Sequence, residues 1–246
     1  MIRKITAASL LVWSSASFAA HPLATDDVGT QERGLVEWEA SAYAAPGDAS
    51  PAAATLLGMG LAAHVGLGER VAVGAGLLHH GPVGPASWAG QLDLTADLKW
   101  RLFEFGPGGE RGGFALRFDY AAPTGFDARA FGHGLGARAV LTLQKGPLEY
   151  HLNAGLQRSG LGATEGTGEW LTTVGNAVGF QVRSDMRVLM EAGVQKGVGE
   201  PSFTALGAVQ WQPSDGVIVS AGADPAWSLA QSAAWTTALG LTFTAP

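Results

Sequence analysis

The sequence predicts an all-β fold: a transmembrane, up-and-down antiparallel β-barrel of 12 strands. Three observations predict it. Polar and apolar residues alternate with period two in about twelve segments of roughly ten residues. Charged residues make up only 15% of the chain, against about 25% in an ordinary soluble domain. The connections between segments alternate between long and short, and Gly and Pro are scattered too evenly for helices.

The first element in chain order is not a strand. Arg3 and Lys4, the apolar stretch Ile5 to Trp13 and the small-x-small site Ser17-Phe18-Ala19 read as a signal peptide over residues 1–19, cleaved after Ala19. The apolar stretch is shorter than the roughly 20 residues a spanning helix needs. Cleavage removes two cations, so the net charge of −6 becomes more negative still. That balance argues against nucleic acid as a partner. With no Cys, disulfides and thiolate chemistry are excluded.

Residues 20–33 are too polar and irregular for a strand. They form an N-terminal periplasmic or luminal segment ahead of the barrel proper, 34–246. In one reading Thr25, Asp26 and Asp27 bond to lumen residues as a plug. In the other they form an ordered turn that seals the periplasmic end.

The strand segments follow: 34–44, 55–66, 70–80, 90–102, 113–122, 134–145, 147–158, 170–182, 186–196, 202–212, 216–224 and 232–243. In 91–102, Leu92, Leu94, Ala96, Leu98, Trp100 and Leu102 form an apolar face, opposed by Asp93, Asp97, Lys99 and Arg101. Phe114, Leu116, Phe118 and Tyr120 likewise oppose Arg117 and Asp119. Leu148, Tyr150, Leu152, Ala154 and Leu156 oppose Glu149, His151 and Asn153. Ten residues suffice for a tilted strand to cross a bilayer. Two segments alternate poorly, 216–224 and 170–182, where Asn176 falls on the apolar face; 10 or 14 strands therefore remain open.

Long connections (45–54, 80–89, 123–133, 159–169) fall between short or medium ones at 68–69, 106–112, 146–147, 184–185 and 213–215. The connections at 197–201 and 225–231 are of medium length. Long loops on one rim and short turns on the other is the outer-membrane arrangement, with both termini in the periplasm. A soluble barrel buries its apolar face, whereas here that face carries the large side chains and the opposite face the small and charged ones. Closure satisfies every backbone group where water is absent. Trp38, Trp100, Phe103, Phe180, Trp211 and Phe243 map near the periplasmic ends, and Tyr120, Trp170 and Trp235 near the outer ends, as two interfacial girdles would require.

The polar face supplies the candidate lumen and selectivity residues: Glu37, Glu39, Asp93, Asp97, Lys99, Arg101, Arg117, Asp119, Arg138, His151, Arg187 and Glu191. Buried charges must pair or stay wet, so these residues either line a selective channel or pair among themselves and stiffen a closed barrel. Catalytic residues, cofactors and metal ligands are predicted to be none. His79, His80 and His133 sit in predicted outer loops, as do Ser87 and Ser159, and no nucleophile or metal motif surrounds them. A lipid-modifying enzyme would need a Ser–His pair at the outer rim.

The stretch His21-Pro22-Leu23-Ala24-Thr25-Asp26-Asp27-Val28-Gly29-Thr30, followed by Gly34, Glu37 and Glu39, carries a resemblance. Leu98-Lys99-Trp100, Pro123-Thr124-Gly125 and Pro213-Ser214-Asp215-Gly216 extend it along the chain. The sequence resembles the outer-membrane transporter family named after the meta-cleavage pathway of phenol degradation. The C-terminus departs from the usual terminal aromatic, ending Phe243-Thr244-Ala245-Pro246. The resemblance implies an outer-membrane location, lipids as surroundings, and passive passage of small solutes, aromatic or otherwise hydrophobic compounds among them. The competing expectation is a closed-lumen barrel with a structural or loop-binding role.

Overall fold

A computed structural model describes residues 26–45, 55–83, 91–106, 110–124, 132–163, 168–197, 201–228 and 231–245. The signal-peptide segment, Thr25 and Ser87 lie outside these residues. Alternation with period two gives twelve strands: β1 (Val36–Ala45), β2 (Thr55–Gly66), β3 (Val71–Val83), β4 (Gln91–Phe105), β5 (Glu110–Pro123), β6 (His133–Lys145), β7 (Leu148–Leu161), β8 (Trp170–Arg183), β9 (Met186–Lys196), β10 (Ser202–Ser214), β11 (Val217–Ser228) and β12 (Gln231–Ala245). Each pairs antiparallel with its sequence neighbours, and β1 pairs with β12 to close the barrel. The strand count is 12, so the poorly alternating segments 170–182 and 216–224 are strands after all.

The short turns share one rim. At β6–β7, Lys145 pairs with Leu148 and only two residues intervene. Gly146 takes φ +55° there, and Pro147 holds φ near −65°, as a type II′ hairpin turn requires. The predicted medium connection 225–231 is instead mostly strand, with β11 running to Ser228 and β12 resuming at Gln231. His79 and His80 belong to β3, Ser159 to β7, and His133 begins β6. These four residues therefore do not lie in loops. His133 and Ser159 are reached because β6 and β7 run past the ends of their alternating pattern, while His79 and His80 close the segment 70–80, which is strand from Val71 onward.

The large apolar side chains face outward. Leu94, Leu98, Leu156, Val174, Met190, Val209, Leu239 and Leu241 are among the exposed ones. Trp38, Trp100, Phe180, Trp211 and Phe243 are exposed toward the short-turn rim, and Trp38 pairs across the β1–β12 seam with Phe243. Strict alternation would turn Phe103 inward, but an irregularity between Arg101 and Phe103 restores it to the outer face. There its ring stacks on Phe114, with centroids 5.8 Å apart. Toward the opposite rim, the Arg158 guanidinium lies 5.6 Å from the centre of the exposed Trp170 ring. The side chain of Trp235 lies outside the described set.

The barrel's core is therefore its lumen. Ala115, Val140 and Ala177 are 0% exposed, so neighbouring inward side chains cover the inner wall at their level. The inner face is not uniformly polar. Ala177, Leu189, Leu206 and Ala208, from β8, β9 and β10, form an inward apolar cluster opposite in character to the charged wall of β4–β7.

Candidate functional site

Residues 26–35 enter the barrel and lie against its inner wall. Gly34, at φ +85°, turns the chain into β1. The Gly34 N–H donates to the Gly66 carbonyl at 2.9 Å, and the Gly66 N–H to the Leu35 carbonyl at 3.2 Å. The segment passes so close to Gly66 that a Cβ there would meet the Glu32 carbonyl oxygen at 2.1 Å and that of Gln31 at 2.4 Å. Only Gly admits the backbone at this distance.

Farther in, Val28 packs on Ala115 and Val140, and its N–H donates to Thr142 Oγ1 at 3.0 Å. Asp26 is the anchor. Its N–H donates to Asn153 Oδ1, and Asn153 Nδ2 donates to its carbonyl, both at 2.8 Å. Its carboxylate accepts from Lys99 Nζ and from Arg117 Nη1, each at 2.9 Å. Burial alone would raise the Asp26 carboxyl, but Lys99 and Arg117 beside it outweigh burial and hold it well below the usual carboxylate range. Asp27 also accepts from Lys99, at 3.3 Å.

A belt of polar contacts continues around the lumen from this anchor. Arg117 Nε donates to Asp119 at 2.8 Å, and Arg117 Nη2 lies 3.6 Å from Asp97. Asp97 Oδ2 lies 3.1 Å from His64 Nε2, and His64 Nδ1 lies 3.7 Å from Glu39. Gly74 of β3 makes the His64–Asp97 contact possible. A Cβ there would meet His64 Cδ2 at 2.2 Å and Asp97 Oδ2 at 2.3 Å. In the other direction Thr142 Oγ1 lies 2.9 Å from His151 Nδ1. His151 Nε2 lies 3.4 Å from Glu149, which pairs with Arg187. Arg187 Nε in turn donates to Gln210 at 3.0 Å.

All twelve candidate lumen residues lie on inward-facing positions of their strands, by the alternation of burial and the register of pairing. Glu39, Asp97, Lys99, Arg117, Asp119, His151 and Arg187 join the belt. Glu37 accepts from Gln31 Nε2 at 2.8 Å, and Arg101 bonds Glu104 and the Glu69 carbonyl at the short-turn rim. Asp93, Arg138 and Glu191 sit elsewhere on the inner wall, with partners of their own. Sequence reasoning missed His64, Thr142, Asn153, Glu149 and Gln210 as parts of the belt. Their inward parity was readable, but their partners sit on strands whose alignment only the register sets.

Compared with known proteins, the chain matches no family model and no curated protein. Solved structures match its fold. An outer membrane channel from Pseudomonas putida F1 superposes at TM-score 0.60 with 12% identity, covering 89% of this chain and 98% of that one. The NanC porin superposes at 0.59 with 7% identity, covering 84% and 98%. The β domain of the Bordetella autotransporter BrkA superposes at 0.50 with 14% identity, covering 85% and 99%. At these identities the likeness is one of fold.

Proposed function

We propose that this barrel resides in a Gram-negative outer membrane and passes small solutes passively, with residues 26–35 as the constriction that governs passage. The observation that carries the reading is the latch of Asp26 onto Lys99 and Arg117 inside a closed barrel whose outer face is apolar. An outward apolar band bounded by aromatics suits acyl chains and headgroups. An inward charged belt suits water and hydrated solutes. The likeness of fold to an outer membrane channel and a porin supports the same assignment.

The charged wall of Asp93, Asp97, Arg117 and Arg138 favours hydrated or amphipathic solutes. A bare hydrophobic compound passing there would strip water from these charges without replacing it. The inward cluster of Leu189 and Leu206 opposite gives an aromatic ring with a polar substituent a surface to follow. Such a solute reconciles the lining with the aromatic compounds that the sequence resemblance implies.

The fully buried Ala115, Val140 and Ala177 favour a second reading, a lumen closed in this state. Single-channel conductance of the folded barrel in a planar bilayer separates the two. Discrete steps that enlarge in D26N and on deletion of residues 20–32 support a latched channel. A folded barrel that is silent in all three forms supports the closed barrel.

A further inference from the structure

We propose that the barrel holds one first-row divalent metal ion of the zinc type, on Glu37, Glu39 and His64 inside the lumen. Each of the three offers a ligating atom within 4.8 Å of the other two. The register explains why they meet. Glu37 and His64 are direct cross-strand partners of β1 and β2, and Glu39 is the next inward residue on β1. From the sequence alone no ligand set is visible, because the ligands lie on two strands joined by a long connection.

Two observations beyond proximity point to a ligand. Glu39 and His64 are only 5% and 6% exposed, yet Glu39 Oε2 and His64 Nδ1 have no hydrogen-bond partner. A buried carboxylate oxygen and a buried ring nitrogen are costly to leave unpaired. Nδ1 faces the Glu39 carboxylate at 3.7 Å, which is too long for a hydrogen bond. A cation bound by both would satisfy each of them.

The second observation is the other side of the ring. His64 Nε2 is held by Asp97 at 3.1 Å. This is the carboxylate–histidine pairing that orients metal-ligating imidazoles and raises their basicity. Charge fits as well: among the described residues neither Glu37 nor Glu39 pairs with Lys or Arg, and two carboxylates balance a divalent cation. Two carboxylates with one imidazole suit zinc and its neighbours better than calcium or magnesium, which take oxygen ligands. Three protein ligands leave a fourth position for water. Glu37 also accepts from Gln31, so an occupied site would brace the N-terminal segment from below. The site stands whether or not the lumen conducts.

The test is calorimetric titration of zinc chloride into the full-length barrel, folded in detergent and stripped with chelator. The expected result is one zinc per barrel, at least 100-fold weaker in both E39Q and H64N, and about 10-fold weaker in D97N, the usual cost of losing a carboxylate behind a ligating histidine. The double variant H79N/H80N should bind as the parent does. Cobalt bound to the parent should give visible absorption bands that E39Q lacks. Heat-modifiable migration in electrophoresis shows that each variant is folded. Absence of stoichiometric binding by the folded parent would overturn the site, as would binding undiminished in E39Q and H64N or lost in H79N/H80N.

Discussion

The carboxylate of Asp26 accepts a hydrogen bond from Arg117 Nη1 at 2.9 Å, across 91 residues of chain and inside the barrel. Both side chains are 5% exposed, so neither charge is satisfied by bulk water. The pair therefore stands or falls with the position of the N-terminal segment.

Replacing Asp26 with Asn removes that charge and leaves Lys99 with Asp27, and Arg117 with Asp97 and Asp119. Losing one member of a buried ion pair costs about 3–5 kcal/mol, and the remaining carboxylates offset part of it. D26N is expected to release residues 26–35 while the barrel stays folded. Hydrogen exchange checks this: the amides of Asp26 and Val28, bonded to Asn153 and Thr142, should exchange at least 10-fold faster. Unchanged protection would show that the backbone contacts suffice.

The sign of the pH dependence follows from the lowered Asp26 carboxyl. A group whose pKa is lower in the folded state adds stability above its unfolded pKa of about 3.9. That stability is lost only as the pH falls toward the folded value. The latch should thus hold at pH 4. Pepsin, active in acid, is the probe: at pH 4 it should leave residues 26–35 uncut in the parent and cut them in D26N. Equal cutting of both proteins would contradict the ion pair's role.

Gly66 makes a sharper steric prediction. G66A sets a methyl against backbone carbonyls of Gln31 and Glu32, atoms that cannot swing aside as a side-chain tip can. The segment must shift, and the Gly34–Gly66 bond should break, exposing the Gly34 amide to exchange. G68A, with nothing within 4 Å of the added Cβ, should leave exchange and thermal midpoint unchanged.

The period-two pattern carried the strands, their number, the inward set of charges and the outward aromatics. That is because side-chain parity along a strand is local. What joins Asp26 to Lys99 and Arg117, or Glu37 to His64, is register and the path of residues 26–35, which no alternation encodes. Local patterning also failed where the backbone departs from regularity. The irregularity at Arg101–Phe103 reverses parity, and the inward Leu189 and Leu206 sit on a face that the alternation marked for small and charged side chains.

Asn176 is the outward residue that broke the predicted alternation of β8. It sits between Leu152 and Ala192 in the register, and its Nδ2 donates to the Ala192 carbonyl at 3.1 Å. That bond meets one of the amide's two N–H donors, and the outward position leaves the rest of the amide to the surrounding phase. In a membrane that phase is hydrocarbon, and an unmet amide group costs about 1 kcal/mol or more. N176V restores the apolar face with a β-branched residue suited to a strand. The variant is expected to raise the unfolding free energy, read from urea denaturation of the barrel in lipid vesicles, by about 1 kcal/mol. If the outer face of β8 met water instead, the gain would vanish or change sign. The same measurement therefore reports what surrounds this face of the barrel.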